Sequence, residues 1–419
     1  MEKLIINGGK PLNGKVRISG AKNACLPILA ATILAEGSYK ISNVPDLRDI
    51  RTMLSLLGEV GVSSEHNGAN VLLNCESAED KIIAPYELVK TMRASVLALG
   101  PLLARKKRAK VSLPGGCAIG ERPVDQHIKA LKLMGAEISV NHGYIEAHCE
   151  KLVGAEITFD MVTVTGTENI LMAAVLAEGE TILYNAAQEP EVVDLARFLK
   201  KMGAKIEGEG TTVIKIKGVK KLNSKDYTVM PDRIEAGTFL CAVACTGGKV
   251  TLENAPVSSM TAIIDKLCQT GLKVDILNDS TIIVEKTKRP EATDISTQPY
   301  PGFPTDMQAQ FMSVMSIAEG VSVVTETIFE NRFMHVSELK RMGADIRLKD
   351  KSAIIRGVES LTGAPVMASD LRASASLVIA ALMAEGTSEI LRVYHLDRGY
   401  ERFDDKLSQL GADITRTEE

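Results

Sequence analysis

The sequence contains no tryptophan, and aromatic residues make up only 4% of its 419 positions. Hydrophobic residues nevertheless make up 45% of the chain, so any core must be built from Ala, Leu, Ile, Val and Met. No apolar run is long enough to cross a bilayer, and the first residues do not combine a basic segment with an apolar one, as a signal peptide does. The sequence therefore predicts a cytoplasmic protein of roughly two or three domains that does not insert into membranes.

Two further absences concern charge and cysteine. Lys and Arg number 49 against 53 for Asp and Glu, and a chain without a basic surplus is not typical of nucleic-acid-binding proteins. The seven cysteines are odd in number and scattered, which is not the pattern of a disulfide framework and indicates a reducing compartment. Cys241 and Cys245 lie four residues apart without a nearby His or Cys, so we interpret them as core residues and predict no metal site.

An internal repeat dominates what the sequence does contain. A glycine closes a helix-like segment six times at intervals of 68 to 74 residues, at Gly61, Gly135, Gly203, Gly271, Gly343 and Gly411. Each copy reads as β-α-β-α-β-β, with a first helix that is apolar nearly all round and a second that is amphipathic. A fixed period of this kind indicates one structural unit used six times. We therefore predict an α/β protein of two domains, each with three repeats around three buried helices.

The second repeat departs from this pattern. A basic run, Arg105–Arg108, stands where the other repeats carry a second glycine. We interpret this run as a solvated loop tip, with a contact to a nucleic acid or a membrane as the alternative.

Charged residues recur at the starts of the apolar helices. Lys22, Arg93, Arg233 and Arg372 are basic, whereas Asp306 and Asp370 are acidic. A helix start presents free N–H groups and a partial positive charge, so a cleft lined by these starts would suit polyanionic substrates. The alternative is that the aspartates are ordinary N-caps and the basic residues are solvated surface charges, and the two interpretations do not exclude each other.

A glycine-rich segment, residues 114–125, carries the most specific signal of chemistry. It places Cys117 in a loop five residues before Arg122. A nearby cation favours the thiolate form of cysteine, and the guanidinium fork suits a phosphate or a carboxylate. The segment therefore predicts a reactive thiol beside an anion site. His127, in the helix that follows, either helps to orient a substrate or is an ordinary helix histidine.

Seven segments give the chain a resemblance, over its whole length, to the enolpyruvyl transferase family: residues 20–24, 91–95, 114–127, 231–237, 300–306, 329–333 and 370–372. The cysteine loop is similar to that of the branch whose acceptor is UDP-N-acetylglucosamine and differs from the shikimate branch. The resemblance implies an inside-out α/β barrel of two domains, residues 22–230 and residues 1–21 plus 231–419, with the active site in the cleft between them. Hinges would lie near residues 20–22 and 230–232.

The resemblance also implies a reaction. Phosphoenolpyruvate would donate its enolpyruvyl group to the 3-hydroxyl of UDP-N-acetylglucosamine by addition and elimination, with loss of phosphate, in the first committed step of peptidoglycan synthesis. The family uses no redox cofactor and no catalytic metal. Two alternatives stay open, namely shikimate 3-phosphate as the acceptor and a non-catalytic sugar-nucleotide sensor on the same fold.

Site residues follow from the resemblance, position by position. Cys117 matches the proton donor, which also forms an adduct with the donor substrate, and Asp306 matches the base that takes the hydroxyl proton. The phosphoenolpyruvate site would comprise Lys22, Asn23, Arg122, Arg332, Arg372 and Arg398, of which Lys22, Asn23 and Arg398 are also counted as catalytic. The nucleotide sugar would contact Arg93, Arg122, Pro123, Val124, Asp125, Gln126, Thr163, Val164, Thr165, Asp306 and Ile328. Some relatives carry a lysine where this chain has Met161, which puts a basic contact there in doubt.

Overall fold

The computed structural model describes residues 2–76, 80–90, 92–113, 124–329 and 331–418. These residues divide into two compact units. The C-terminal unit joins the described residues up to Ser19 with those from Pro231 onward, and the N-terminal unit contains the described residues between Gly20 and Met230.

Twenty-four strands are assigned among the described residues. They are β1 (Glu2–Asn7), β2 (Leu12–Arg17), β3 (Gly37–Ser42), β4 (Val62–Asn67), β5 (Asn70–Cys75), β6 (Ile83–Ala84), β7 (Arg108–Ser112), β8 (Glu137–Asn141), β9 (Tyr144–His148), β10 (Glu156–Thr158), β11 (Glu180–Tyr184), β12 (Lys205–Glu207), β13 (Val213–Lys217), β14 (Tyr227–Thr228), β15 (Gly248–Glu253), β16 (Lys273–Asn278), β17 (Thr281–Glu285), β18 (Ile295–Ser296), β19 (Val321–Thr325), β20 (Asp345–Lys349), β21 (Ser352–Arg356), β22 (Pro365–Met367), β23 (Thr387–Leu391) and β24 (Asp413–Glu418).

The helices alternate with these strands along the chain. The α-helices of the described residues are α1 (Lys22–Ala31), α2 (Arg48–Glu59), α3 (Tyr86–Val89), α4 (Leu99–Lys106), α5 (Asp125–Leu133), α6 (Val164–Ala174), α7 (Pro190–Met202), α8 (Arg233–Thr246), α9 (Thr261–Gln269), α10 (Gln308–Met315), α11 (Val336–Arg341), α12 (Leu371–Met383) and α13 (Phe403–Gln409). Short 3-10 helices cover Thr32–Leu34, Arg93–Ala98, Val257–Ser259, Thr305–Met307 and Val393–Arg398.

The described strands form six four-stranded sheets, three in each unit. Their strand orders are β14-β3-β5-β4, β6-β7-β9-β8 and β10-β11-β13-β12 in the N-terminal unit, and β22-β23-β1-β24, β16-β17-β15-β2 and β18-β19-β21-β20 in the C-terminal unit. Burial alternates along the strands, as in β3, where Tyr39 and Ile41 are buried whereas Ser38 and Lys40 are exposed. Each sheet therefore covers a core with one face, and the predicted α/β fold of repeated units is confirmed.

The apolar helices form the centre of each unit. In α1, 9 of 10 residues are buried, and in α8 the first 13 of its 14 residues are. Helices α8, α10 and α12 pack against one another in the C-terminal unit, and α6 packs against both α1 and α4 in the N-terminal unit. Because these helices are apolar on every side, only a position surrounded by sheets and amphipathic helices removes all of their surface from water. Their first turns are consequently the places where polar side chains of the centre can reach a ligand.

The basic run of the second repeat is not the solvated loop tip that its composition predicts. Arg105 donates to the backbone oxygen of Ile33 at 2.8 Å, and Lys106 donates to that of Val60, also at 2.8 Å. Lys107 takes the left-handed conformation, with φ of 61°, at the point where other repeats use glycine. The run therefore ends a helix and binds backbone carbonyl groups near helix ends of the first repeat.

The described helices include none with the length and apolar character needed to span a bilayer.

Candidate active site

The C-terminal unit contains a buried cluster of opposite charges built from three of the predicted residues. Arg332 Nη2 donates to Asp306 Oδ1 at 2.7 Å, and Arg372 Nη2 donates to Asp306 Oδ2 at 2.9 Å. The side chains of Arg332 and Arg372 are only 4% and 2% exposed, whereas that of Asp306 is 25% exposed. We call these three residues the Asp306 cluster.

Three separate segments bring the cluster together. Asp306 lies in the 3-10 turn Thr305–Met307 that leads into α10, Arg332 precedes α11, and Arg372 lies in the first turn of α12. Asp370 caps α12 by accepting from the backbone N–H groups of Arg372 and Ala373 at 2.8 and 3.0 Å. The N-cap interpretation is thus correct for Asp370 but wrong for Asp306, whose carboxylate binds the two arginines instead.

The charges of the cluster hold Asp306 in its ionised form. Burial by itself raises the pKa of the Asp306 carboxyl, but the positive charges of Arg372 and then Arg332 outweigh it and keep the pKa well below its ordinary value. Burial lowers the pKa of Arg372, but Asp306, Tyr400 and Asp232 together raise it above its ordinary value. Within the cluster two cations face one anion, and Asp232 is a further negative charge that acts on Arg372.

Arg372 has donors that no protein group uses. Its Nε and Nη1 atoms are buried and have no hydrogen-bond partner among the described residues. Its guanidinium lies over the Tyr400 ring, 5.3 Å from the ring centre, and the Tyr400 hydroxyl is 3.0 Å from both Thr238 Oγ1 and Gln310 Nε2. A buried cation with unused donors is costly unless a ligand accepts from them, so this geometry suits a phosphate or a carboxylate.

Glu326 supports the other side of the cluster and was missed from the sequence. Its carboxylate accepts from Thr305 Oγ1 at 2.8 Å, from Thr297 Oγ1 at 2.7 Å and from the backbone N–H of Ile328 at 2.8 Å. Thr305 Oγ1 in turn accepts from Arg332 Nη1 at 2.9 Å. Glu326 therefore fixes the segment that carries the predicted contact Ile328. A charged residue directly after the apolar strand β19, six residues before Arg332, was the available signal.

Arg398, the remaining predicted anion ligand of this unit, ends the 3-10 helix Val393–Arg398 and is partly buried. That helix packs against α12, the helix that carries Arg372.

In the N-terminal unit, Lys22 forms a buried ion pair. Its Nζ atom lies 3.1 Å from Asp49 Oδ2, and the two side chains are 8% and 5% exposed. Lys22 is the first residue of α1, followed by partly buried Asn23, and Asp49 lies in the first turn of α2. The alternative that Lys22 is a solvated surface charge is therefore wrong, and Asp49 is a partner that the sequence analysis did not identify.

The predicted nucleotide-sugar residues gather at the starts of α5 and α6. Val124 precedes α5, Asp125 and Gln126 begin it, and Thr163 caps α6 by accepting from the backbone N–H of Gly166 at 3.1 Å. Gln126 exchanges two hydrogen bonds of 3.3 Å with the backbone of Met161. The structure thus brings together this part of the predicted set, with Val164 and Thr165 in the first turn of α6.

His127 links the same two helices from inside. Its Nδ1 atom is 3.0 Å from Asn169 Nδ2, and its Nε2 atom is 3.4 Å from Thr165 Oγ1. Burial lowers the pKa of His127 to about 4, with nearby Arg93 adding to the shift, so the ring is neutral near pH 7. Of the two interpretations of His127, the structure supports a buried histidine whose hydrogen bonds are satisfied. Arg93 itself is partly buried and begins the 3-10 helix Arg93–Ala98.

Three predicted residues, Cys117, Arg122 and Pro123, lie outside the described residues. Among the residues that the structure does describe, no group of three or more His, Cys, Asp or Glu side chains is arranged to hold a metal ion.

This architecture is that of the enolpyruvyl transferases. The solved structure of the enolpyruvyl transferase NikO from Streptomyces tendae matches with a TM-score of 0.89 and 25% identity over 99% of each chain. An EPSP synthase from Acinetobacter baumannii matches with a TM-score of 0.79 and 22% identity over both chains in full.

The chain belongs to the EPSP synthase (3-phosphoshikimate 1-carboxyvinyltransferase) family, whose model matches residues 6–407. Curated relatives from two strains of Nitratidesulfovibrio vulgaris, DP4 and Hildenborough, are 59% and 58% identical over all 419 residues and the full length of each relative. Both carry the name UDP-N-acetylglucosamine 1-carboxyvinyltransferase. The family resemblance inferred from the sequence is confirmed.

Proposed function

We propose that this protein is an enzyme that transfers the enolpyruvyl group of phosphoenolpyruvate to the 3-hydroxyl of UDP-N-acetylglucosamine and releases phosphate. The identity of 58–59% over the full length of relatives with that name supports the choice of acceptor. The observation within the structure that carries the proposal is the buried Arg372, whose unused donors suit an anionic donor substrate. The reaction would take place in the cytoplasm and begin peptidoglycan synthesis.

The donor carries a phosphate and a carboxylate, and we assign its binding to Lys22, Asn23, Arg122, Arg332, Arg372 and Arg398. In the addition step, the sugar oxygen bonds to the central carbon of the enol while the Cys117 thiol gives a proton to the methylene carbon. Asp306 takes the proton from the sugar hydroxyl. In the elimination step, the new methyl group returns a proton to the Cys117 thiolate, the carbon–carbon double bond forms again, and the bond to the phosphate oxygen breaks to release phosphate. Clustered cations stabilise the negative charge of the donor and of the departing phosphate.

For the acceptor, we assign the nucleotide-sugar site to the starts of α5 and α6 together with Arg93, Arg122, Pro123, Asp306 and Ile328. The hydrogen bonds between Gln126 and Met161 support this assignment, because they hold the two helix starts at a fixed spacing. The neutral, buried His127 contributes rigidity rather than charge.

A second candidate acceptor is shikimate 3-phosphate, which the description of the family model names. The glycine-rich cysteine loop and the names of the full-length relatives favour the nucleotide sugar. A non-catalytic sensor is disfavoured because binding alone requires neither the thiol nor the base.

Phosphate release from phosphoenolpyruvate tests the proposal. It is measured with UDP-N-acetylglucosamine and with shikimate 3-phosphate, for the wild type and for Cys117→Ala. We expect release only with the nucleotide sugar, and we expect its loss in the variant. Release only with shikimate 3-phosphate would assign the other acceptor. Calorimetric binding of UDP-N-acetylglucosamine without any release would support the sensor.

A further inference from the structure

Within the Asp306 cluster, the proposed base Asp306 is poorly suited to accept a proton. A general base works best when its pKa lies near the working pH, because it must hold a proton in the transition state. Asp306 instead has both carboxylate oxygens bound by arginines, at 2.7 and 2.9 Å, and its pKa is held far below that range. The arrangement without ligand is therefore not the one in which Asp306 can accept a proton from a sugar hydroxyl.

The arginines are the fixed part of the cluster. Arg372 lies over the Tyr400 ring and Arg332 over the Phe329 ring, with 5.3 and 5.4 Å from each guanidinium to the ring centre. Arg332 is also held by Thr305, which Glu326 anchors. Both arginine side chains are at least nine-tenths buried.

Asp306 has the most exposed side chain of the cluster. Its side chain is 25% exposed, and it belongs to the 3-10 turn Thr305–Met307 rather than to a long helix. A change of its side-chain rotamer would break both ion pairs without disturbing the buried arginines.

The cluster also retains capacity for another oxyanion. Arg372 Nε and Nη1 have no partner, so the guanidinium makes fewer hydrogen bonds than its planar set of donors allows. The Asp306 carboxylate satisfies only part of this site, whereas a phosphate or carboxylate of a ligand could accept from several of these donors at once.

We propose that Asp306 is an internal substitute for an oxyanion of the donor substrate, bound to Arg332 and Arg372 until the donor displaces it. The phosphate or carboxylate of the donor then takes the Nη2 donors of the two arginines, and the released carboxylate becomes the base for the acceptor hydroxyl. The role of the released carboxylate as the base rests on the proposed function, whereas the displacement of Asp306 from the arginines concerns anion binding alone. Activation of the acceptor is thereby coupled to the presence of the donor.

Anion binding to Asp306→Asn tests the displacement. Inorganic phosphate and pyruvate are titrated separately into the wild type and the variant by calorimetry, because each probe carries one of the two donor oxyanions. Asparagine has the shape of aspartate but cannot form the ion pairs. We expect at least one probe to bind roughly tenfold more tightly to the variant, since charged hydrogen bonds no longer have to be broken. The probe that responds identifies the displacing group.

Asp370→Asn is the matched control, because it removes a carboxylate next to Arg372 that binds backbone N–H groups instead of the guanidinium, and asparagine also caps helices well. We expect its affinity for both probes to change by less than about threefold. If both variants gained affinity for the probes equally, the gain would result from the removal of any nearby negative charge, and the displacement would be overturned. An unchanged or weaker affinity of Asp306→Asn for both probes would overturn it as well.

A crystal structure of the wild type soaked with the responding probe needs no variant. We expect an oxyanion on Arg372 and an Asp306 carboxylate that no longer contacts either arginine. Retention of the contacts of 2.7 and 2.9 Å beside a bound oxyanion would contradict the displacement. These readouts do not depend on turnover, so they separate this inference from the proposed reaction.

Discussion

The two units place polar residues at the starts of the same repeated helices but leave them in different states of charge. In the C-terminal unit, Asp306, Arg332 and Arg372 are ionised and pair with one another. In the N-terminal unit, burial keeps His127 neutral, and burial together with Glu191 and Glu189 raises the pKa of Glu168 well above its ordinary value. The same architecture thus supplies an anion-attracting site in one unit and a largely neutral hydrogen-bonding scaffold in the other.

Lys22 is an exception to the largely neutral character of the N-terminal unit. It is a buried cation of the N-terminal unit, but Asp49 balances it at 3.1 Å, whereas the two arginines share a single aspartate. A balanced pair contributes little net attraction for an anion until one partner is moved or neutralised. We therefore expect the C-terminal unit to contribute most of the affinity for the donor and the N-terminal unit to contribute most of the geometry for the acceptor.

The largest effect is expected from Arg372→Lys. Lysine keeps the charge but loses the planar fork that binds Asp306 and the donor. We expect kcat/KM for phosphoenolpyruvate to fall by about a hundredfold or more, as when a buried, hydrogen-bonded charge is disrupted. Arg356→Lys, whose arginine side chain is 74% exposed, is the control and should stay within about twofold. A fall of less than about fivefold in kcat/KM of Arg372→Lys would show that the C-terminal unit does not contribute most of the affinity for the donor.

Asp49→Asn should destabilise the N-terminal unit. It removes the charged group that balances a lysine only 8% exposed, and breaking a buried pair in this way costs about 3 kcal/mol of unfolding free energy. Urea unfolding measures the change. Asp46→Asn, which breaks the exposed pair with Arg51, is the matched control and should cost less than about 1 kcal/mol. Equal losses in the two variants would show that the Lys22 pair is no more important than a surface pair.

His127→Gln should alter how stability depends on pH. The folded state lowers the pKa of His127 from 6.5 to about 4, so between these values the unfolded chain binds a proton that the folded protein does not. Stability contributed by the neutral ring is therefore full above about pH 6.5 and is lost as the pH falls towards 4, by roughly 2–3 kcal/mol. Glutamine has no such proton, so we expect a smaller loss between pH 6.5 and 4 by thermal or urea unfolding. An identical pH dependence in variant and wild type would mean that folding does not lower the pKa of His127.

Met161→Lys should have the smallest effect. Met161 is 64% exposed beside Gln126, and a lysine there would add a solvent-screened charge near the proposed nucleotide-sugar site. We expect KM for UDP-N-acetylglucosamine to fall by about two- to fivefold at low salt and the gain to shrink at high salt. Met367→Lys, at another exposed methionine in the C-terminal unit, should not change KM. A rise in KM would show that the surface at Met161 does not belong to the nucleotide-sugar site.

The sequence predicted the repeat and its buried helices because hydrophobic periodicity is a local property. Which individual side chains pair with one another was harder to predict from the sequence. Asp306 and Asp370 both precede apolar helices, and only the arrival of Arg332 and Arg372, 26 and 66 residues after Asp306, distinguishes a charge cluster from a cap. Asp49 was missed for a similar reason, because its partner Lys22 lies 27 residues earlier on another helix.

The basic run of the second repeat shows the limit of composition. Four consecutive charged residues suggest a solvated loop, yet Arg105 and Lys106 bind backbone carbonyl groups of the first repeat. The methylene stems of such side chains can lie along a core while their charged ends reach oxygen acceptors. Which carbonyl groups are available depends on how neighbouring repeats stack, which no local pattern records.

The early strand β1 has a consequence for synthesis on the ribosome. It pairs with β23 and β24, so Glu2 lies opposite Glu418. The ribosome makes β1 before β23 and β24, so this segment has no partner strand in its sheet while the N-terminal unit emerges. The N-terminal unit can complete its own sheets without β1, whereas the C-terminal unit cannot complete the sheet that contains β1 until β24 has been made. A nascent-chain protease assay should therefore find the β1 segment cleavable long after the N-terminal unit has become resistant.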